Sequence, residues 1–374
     1  LPIWVHVEPL SSAADVLLID NDFSLMESYV DYAPYVTTTL QALGYSYQVW
    51  NADARFSNPQ TIPDLECLQQ FDVVIWLTGD HAHADGYYTI STPLTGVDME
   101  ILASYLDGGG RLLALGQNLA EASDVNPSED PEWGRAHLYH HYLGAHWLQG
   151  SLFDPEGEGL YPPSGRPSVV GVSGAFLAGV TLDIGQEGDG DGSQTSVDEI
   201  APGGLPDGSD IELVQPVMTT LESFPLESGY VAVAKACEPT LEHEQQSCPY
   251  RSVCYSFGFA RVNNNPGVTT RAQLLRRTLD WLLDQVQVSV DEVTGSPNDL
   301  TRIACEATSS MKTKMASYRW RIGEGVGAQI VSSAEPFMLH VFPSRGSYDV
   351  AVEATDALGH KALGQGTVSI VDGG

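Results

Sequence analysis

Basic side chains are scarce in this sequence: 17 Lys and Arg stand against 49 Asp and Glu in 374 residues, a formal net charge of −32. A surface of that sign repels phosphate backbones and anionic headgroups, which excludes nucleic acid and anionic membrane surfaces as partners. Long hydrophobic runs are missing too, and none approaches the roughly 20 residues that span a bilayer. There is no N-x-S/T sequon, no H-E-x-x-H, no Walker A motif and no G-x-G-x-x-G after a strand. Zinc-peptidase and nucleotide-binding signatures are therefore absent. Cysteines are few: Cys67, Cys237, Cys248, Cys254 and Cys305. The last three of the first four are spaced C-x10-C-x5-C, which fits no zinc template and reads as a local disulfide, with at least one thiol left over.

What is present is globular. Hydrophobic residues make up 43% and charged residues 18%, enough to build cores over two or three domains. The acidic balance favours hard cations, Ca²⁺ above all. Low Lys, 37 Gly and 22 Pro point to an exported prokaryotic protein, extracellular or on the cell surface. The opening Leu1-Pro2-Ile3-Trp4 carries neither Met nor a basic segment and reads as the start of a mature or excised piece.

The first 120 residues alternate between strand and helix patterns. DVLLID (15–20), YSYQVW (45–50), FDVVIWLT (71–78) and RLLAL (111–115) read as buried strands. Between them lie helical patterns over 27–43, 63–70 and 95–106, the first stopped by Gly44 and the last by Gly108-Gly109-Gly110. This predicts a doubly wound, mainly parallel α/β sheet over residues 1–286. The stretch 136–143 reads as a further helix. From about 151 to 230, dense Gly and Pro with short apolar runs predict β insertions. Residues 270–286 carry the strongest helical stripe, with Leu274, Leu275, Leu279, Leu282 and Leu283 on one face. From 287 to 374 only short alternating strands remain, which predicts a β-sandwich.

The last segment resembles the PKD domain, an immunoglobulin-like module of secreted and surface proteins. The resemblance rests on Tyr318-Arg-Trp320-Arg-Ile-Gly323-Glu324-Gly325, then Gly346-Ser-Tyr348-Asp-Val350, then Asp356-Ala-Leu-Gly359. It implies that Trp320 is the buried sandwich tryptophan. The first 285 residues resemble the glutamine-amidotransferase-like, flavodoxin-like domain that accompanies secreted bacterial peptidases of the immune-inhibitor-A type. The matching pieces are VLLIDND (16–22), ALGYSYQVW (42–50), FDVVIWLTGD (71–80), YLDGGGRLLALGQNLA (105–120), YLGA (142–145), GDGDGSQTSVDEIAP (188–202) and SFGFARVNN (256–264). In that comparison a nucleophile would stand on the turn after the fourth strand. Here the turn reads Gly116-Gln117-Asn118, and Gln117 is no nucleophile. The resemblance thus implies a scaffold without catalytic residues.

Two acidic groups are candidate cation sites. Asp20 and Asp22 end the first strand and Asp80 ends the third. In a doubly wound sheet these ends flank the point where open α/β sheets bind ligands, and their carboxylates suit Ca²⁺ or Mg²⁺. Asp189 and Asp191 lie in an alternating Asp-Gly loop that can fold oxygens around Ca²⁺. The competing reading is that such acids cap helices and turns. His137, His140, His141 and His146 cluster as well, with packing or surface roles as the default. The sequence as a whole predicts a non-catalytic structural or adhesive protein that contacts proteins or glycans, as a homo-oligomer or within a larger surface assembly or filament. The alternative is a processed C-terminal accessory region of a secreted metallopeptidase.

Overall fold

A computed structural model of the chain describes residues 14–22, 24, 30–53, 58–79, 94–117, 119–124, 138–150, 164–192, 197–203, 213–221, 229–242, 250–323 and 328–372. These fall into two compact units. The first comprises 1–236 and 250–282, the second 237–249 and 283–374.

The first unit is built on one eleven-stranded sheet. Its parallel part runs β2 (Tyr47–Asn51), β1 (Val16–Asp20), β3 (Val73–Gly79), β4 (Arg111–Gly116) and β11 (Arg251–Tyr255). Every residue of β1 and β3 is buried, as expected of apolar runs at the centre of a sheet. Helix α1 (Ala33–Leu43) has a proline in its first turn and closes on Gly44, whose positive φ lets its N–H reach Gln41 and Leu40. After the four-residue α2 (Leu65–Leu68), helix α3 (Gly96–Asp107) opens with a capping box. The Thr95 hydroxyl accepts from Asp98 N–H, and the Asp98 carboxylate accepts from Thr95 N–H at 3.0 Å. The same buried carboxylate also accepts from Thr61 N–H and Oγ1 and from Ile62 N–H. One side chain thereby ties a loop to a helix start. Helix α4 (Leu119–Asp124) follows β4, and α5 (Arg271–Leu283) buries Leu274, Leu275, Leu279 and Leu282 of the predicted face together with Thr278 and Trp281, while Leu283 is half-buried.

The doubly wound, mainly parallel α/β fold does not form. The sheet is mixed and strand outweighs helix across the molecule. Among the described residues between β4 and β11 there are six strands, and all of them pair antiparallel: β5 (Ala145–Gln149), β6 (Val169–Gly171), β7 (Thr181–Leu182), β8 (Glu199–Pro202), β9 (Val214–Thr220) and β10 (Tyr230–Ala236). Antiparallel neighbours do not require the helical crossovers that parallel strands need. The longest described helix is α5, at 13 residues. The helix expected over 136–143 is a single π-helical turn, Leu138–Tyr142.

The second unit is a β-sandwich. One sheet is β12 (Val286–Val290), β14 (Leu300–Ser309) and β17 (Phe337–Val341). The other is β13 (Val293–Gly295), β19 (Lys361–Ile370), β18 (Gly346–Asp356), β15 (Met315–Ile322) and β16 (Gln329–Ser333). Trp320 is fully buried between them, packed among Ile303, Phe342, Val352 and Val368. The turn Asp356–Gly359 forms as its sequence suggests. Asp356 Oδ1 accepts from Leu358 and His360 N–H, and Gly359 takes a φ of 90°. A short piece from far upstream completes this unit. Leu241 N–H donates to Glu353 Oε2 at 3.0 Å, Glu238 accepts from Lys361 N–H, and Arg319 pairs with both Glu242 and Glu353.

Candidate functional site

The carboxyl ends of β1 and β2 and the start of α1 gather acids. Asp20 is the last residue of β1, and its carbonyl accepts from Ala52 N–H at 2.8 Å. Asn21 N–H donates to Leu77 of β3, which holds the chain against the sheet as it leaves. Asp22 then turns inward. Its Oδ1 accepts from Ser24 N–H at 3.0 Å and its Oδ2 from Tyr32 N–H at 2.6 Å. Asp31, one residue further upstream, accepts from Ala33 N–H through Oδ1. One ligand-type oxygen from each of Asp20, Asp22 and Asp31 lies within 4.8 Å of the others. Gly79 makes the close approach possible. A Cβ there would sit 2.4 Å from the Tyr32 ring and 2.9 Å from Asp22 Cβ, and its φ is +56°.

The electrostatics of this corner are unfavourable to its own charges. Burial pushes the Asp20 carboxyl up to about 8, and repulsion from Asp22, Asp53 and Asp31 adds to the effect. Burial, followed by repulsion from Asp22, also raises Asp31. Asp20 is 5% exposed, and its Oδ1 has no hydrogen-bond partner. Asp20 and Asp22 were legible as site candidates from their place at a strand end. Asp31 and Asp53 were not, because only the folded sheet brings them to Asp20. Asp80 lies outside the described residues.

The second predicted cation group is arranged differently. Asp189 faces Arg271 at 2.8 Å and accepts from Asn264 N–H and Nδ2 at 2.6 and 2.8 Å. Burial opposes its charge, but these donors win and hold its carboxyl below the usual range. Asp191 N–H donates to the Ala260 carbonyl. Nearby, the fully buried Asp183 accepts from Gly165, Gly185 and Asn265, so the NNN run at 263–265 and Arg271 pin this loop. Neither Asp189 nor Asp191 joins the Asp20 group.

Asp198 is fully buried within the VDEIAP stretch, and its Oδ2 accepts from Glu121 N–H in the first turn of α4. Burial pushes its carboxyl up to about 8, with the Glu121 charge adding and the backbone N–H groups of Glu121 and Ala120 opposing. Its neighbour Glu199 holds Gly229 N–H at 2.6 Å. Gln117 is buried on the turn after β4, its N–H donating to Gly79. His140 and His146 sit ring to ring at 5.2 Å, while His137 is outside the described residues. Cys254 and Cys305 carry free thiols, which burial pushes up to about 12 and about 11. Cys248, on which the expected local disulfide depends, is not among the described residues.

In the second unit Asp284, Asp356 and His360 form another buried group. Asp284 accepts from the hydroxyls of Ser309, Ser310 and Thr313 and from Met311 N–H, and His360 Nδ1 meets Asp356 Oδ2 at 2.9 Å. These donors hold the Asp284 carboxyl below its usual range despite burial. The group orders the 309–313 and 356–360 turns.

Comparison with known proteins locates the second unit by family. Residues 285–365 match the PKD domain and are a PKD domain. Among solved structures, the PKD1 domain of Vibrio cholerae metalloprotease PrtV is 23% identical over 24% of this chain and 95% of its own, with a TM-score of 0.16. The PKD domain of an M14-like peptidase from a Thermoplasmatales archaeon is 18% identical, covering 23% of this chain and 91% of its own, with a TM-score of 0.16. A structure of carbohydrate-binding modules from the β-sandwich superfamily is 16% identical over 24% of this chain, with a TM-score of 0.21. This chain spans about a third of that structure's length, 34%. No curated protein matches. The family match does not extend to the first unit. Among the described residues, no helix is long and apolar enough to cross a membrane.

Proposed function

We propose that this is a non-catalytic extracellular protein of structural or adhesive type, whose PKD domain and acidic first unit make contacts with proteins or glycans at a prokaryotic cell surface. The observation that carries this reading is the PKD domain at 285–365, a module typical of extracellular proteins. Exposed apolar side chains on its strands support a contact role, among them Leu300, Ile330, Leu339 and Val341. Gln117, buried where a nucleophile would stand in the amidotransferase-like comparison, supports a scaffold rather than a catalyst. The motif likeness of the first unit to an accessory domain of secreted peptidases belongs to the same reading.

The test combines binding and turnover assays on the full chain. Binding to immobilised surface glycans or envelope proteins, or self-association in sedimentation that grows with concentration, is the expected result. Turnover of ester, amide or glycoside substrates, abolished by Gln117→Ala, would overturn it.

A further inference from the structure

We propose that Asp20, Asp22 and Asp31 bind one calcium ion at the carboxyl end of β1. The case rests on a mismatch between these three acids and the donors around them. Capping the start of α1 accounts for two: Asp22 accepts from Ser24 and Tyr32 N–H, and Asp31 accepts from Ala33 N–H. Capping does nothing for Asp20. Asp20 is 5% exposed; its side chain shares a hydrogen bond with the Asp22 carboxyl, and its Oδ1 has no partner in the protein. A buried carboxylate oxygen left without a donor costs stability, and a second and third acid beside it raise that cost. A hard cation removes both penalties at once.

The spacing suits calcium. One oxygen from each residue lies within 4.8 Å of the others, so an ion at their centre is at most about 2.8 Å from each, and a small inward movement brings all three to the roughly 2.3–2.6 Å of Ca–O bonds. Magnesium, at about 2.1 Å, demands a tighter set. The backbone N–H groups on Asp22 and Asp31 leave further lone pairs free on those oxygens and fix the carboxylates in place, as outer partners of metal ligands do. Two of the other acidic groups lack this mismatch. Asp189 is turned on Arg271, and Asp284 takes four donors from the 309–313 turn.

The experiment is calorimetric titration of the chelator-treated full chain with CaCl₂ and with MgCl₂, paired with thermal melts. Calcium is expected to bind the wild type and, at about a hundredfold above Kd, to raise the first unit's melting midpoint by about 5 °C. Asp31→Asn, at an exposed position where the amide oxygen still accepts from Ala33, should weaken binding about tenfold or more. Asp20→Asn should do the same, and Asp189→Asn should leave the affinity unchanged. No calcium heat and no shift would overturn the assignment. So would wild-type affinity in both Asp20→Asn and Asp31→Asn, or tighter binding of magnesium than of calcium. The inference is independent of the contact role proposed above and stands or falls without it.

Discussion

Replacing Asp198 with Asn should change how the first unit responds to pH. The wild-type side chain has no exposed surface, and its carboxyl is pushed from the ordinary 3.8 up to about 8. The folded state therefore holds a proton that the unfolded chain gives up near pH 4. Between those values the native form binds more protons, so stability falls as pH rises, by about 1.4 kcal/mol per pH unit for a fully linked proton. Above about pH 8 the loss levels off. Asparagine keeps the acceptor for Glu121 N–H and carries no charge. Its advantage over the wild type should grow from near zero at pH 4 to at most about 4 kcal/mol at pH 7. The assay is native-state hydrogen exchange on peptides of β8 and β10, from pH 5 to pH 8, corrected for intrinsic exchange. It reads the first unit alone in a chain whose two units need not unfold together. A gap between variant and wild type that stays constant across this range would refute the reasoning.

Four further outcomes follow from named contacts. Trp320→Ala, at the centre of the sandwich, should cost about 3–5 kcal/mol and lower the second unit's melting midpoint in calorimetry. Asp98→Ala removes the α3 capping box and the acceptor for Thr61 and Ile62 together. Urea unfolding should show a loss of about 2–4 kcal/mol, and Asp98→Asn should recover part of it. Gly79→Ala forces a Cβ against Tyr32 and Asp22 at positive φ, so the melting midpoint of the first unit should fall by more than an ordinary surface substitution allows. Cys254 and Cys305 should resist alkylation at pH 8 in the native protein and label only after denaturation, as read by peptide mass spectrometry.

Much of the local structure was legible because single residues or short runs decide it. β1 and β3 follow from uninterrupted apolar stretches, the end of α1 from Gly44, and most of the leucine face of α5 from its spacing, whereas α1 starts at Ala33 and not at residue 27, because Pro34 sits in its first turn. The mixed sheet was not. The alternation of the first 120 residues suggests a mainly parallel sheet carrying β insertions, but β5 to β10 join that sheet and pair antiparallel through short runs, some with partners remote in sequence, such as Trp147 with Ile200. The acidic corner shows the same limit. Asp20 and Asp22 sit two residues apart and could be read together, whereas Asp31 and Asp53 arrive through a helix start and a neighbouring strand. Asp189 illustrates a further limit: its Asp-Gly setting suggested an ion, and its pairing with an arginine 82 residues away was not legible.

The residues around Leu241 have a consequence for anyone who treats the PKD domain as a portable cassette. The chain passes between the two units three times, and the piece at 237–249 is synthesised before the strands it completes. A graft beginning at residue 283 would leave Glu353 without the Leu241 amide and Arg319 without Glu242. Such a transplant needs the upstream tract supplied in trans or stitched back through a linker, and its ribosomal assembly must wait for the last strands before that tract finds its seat.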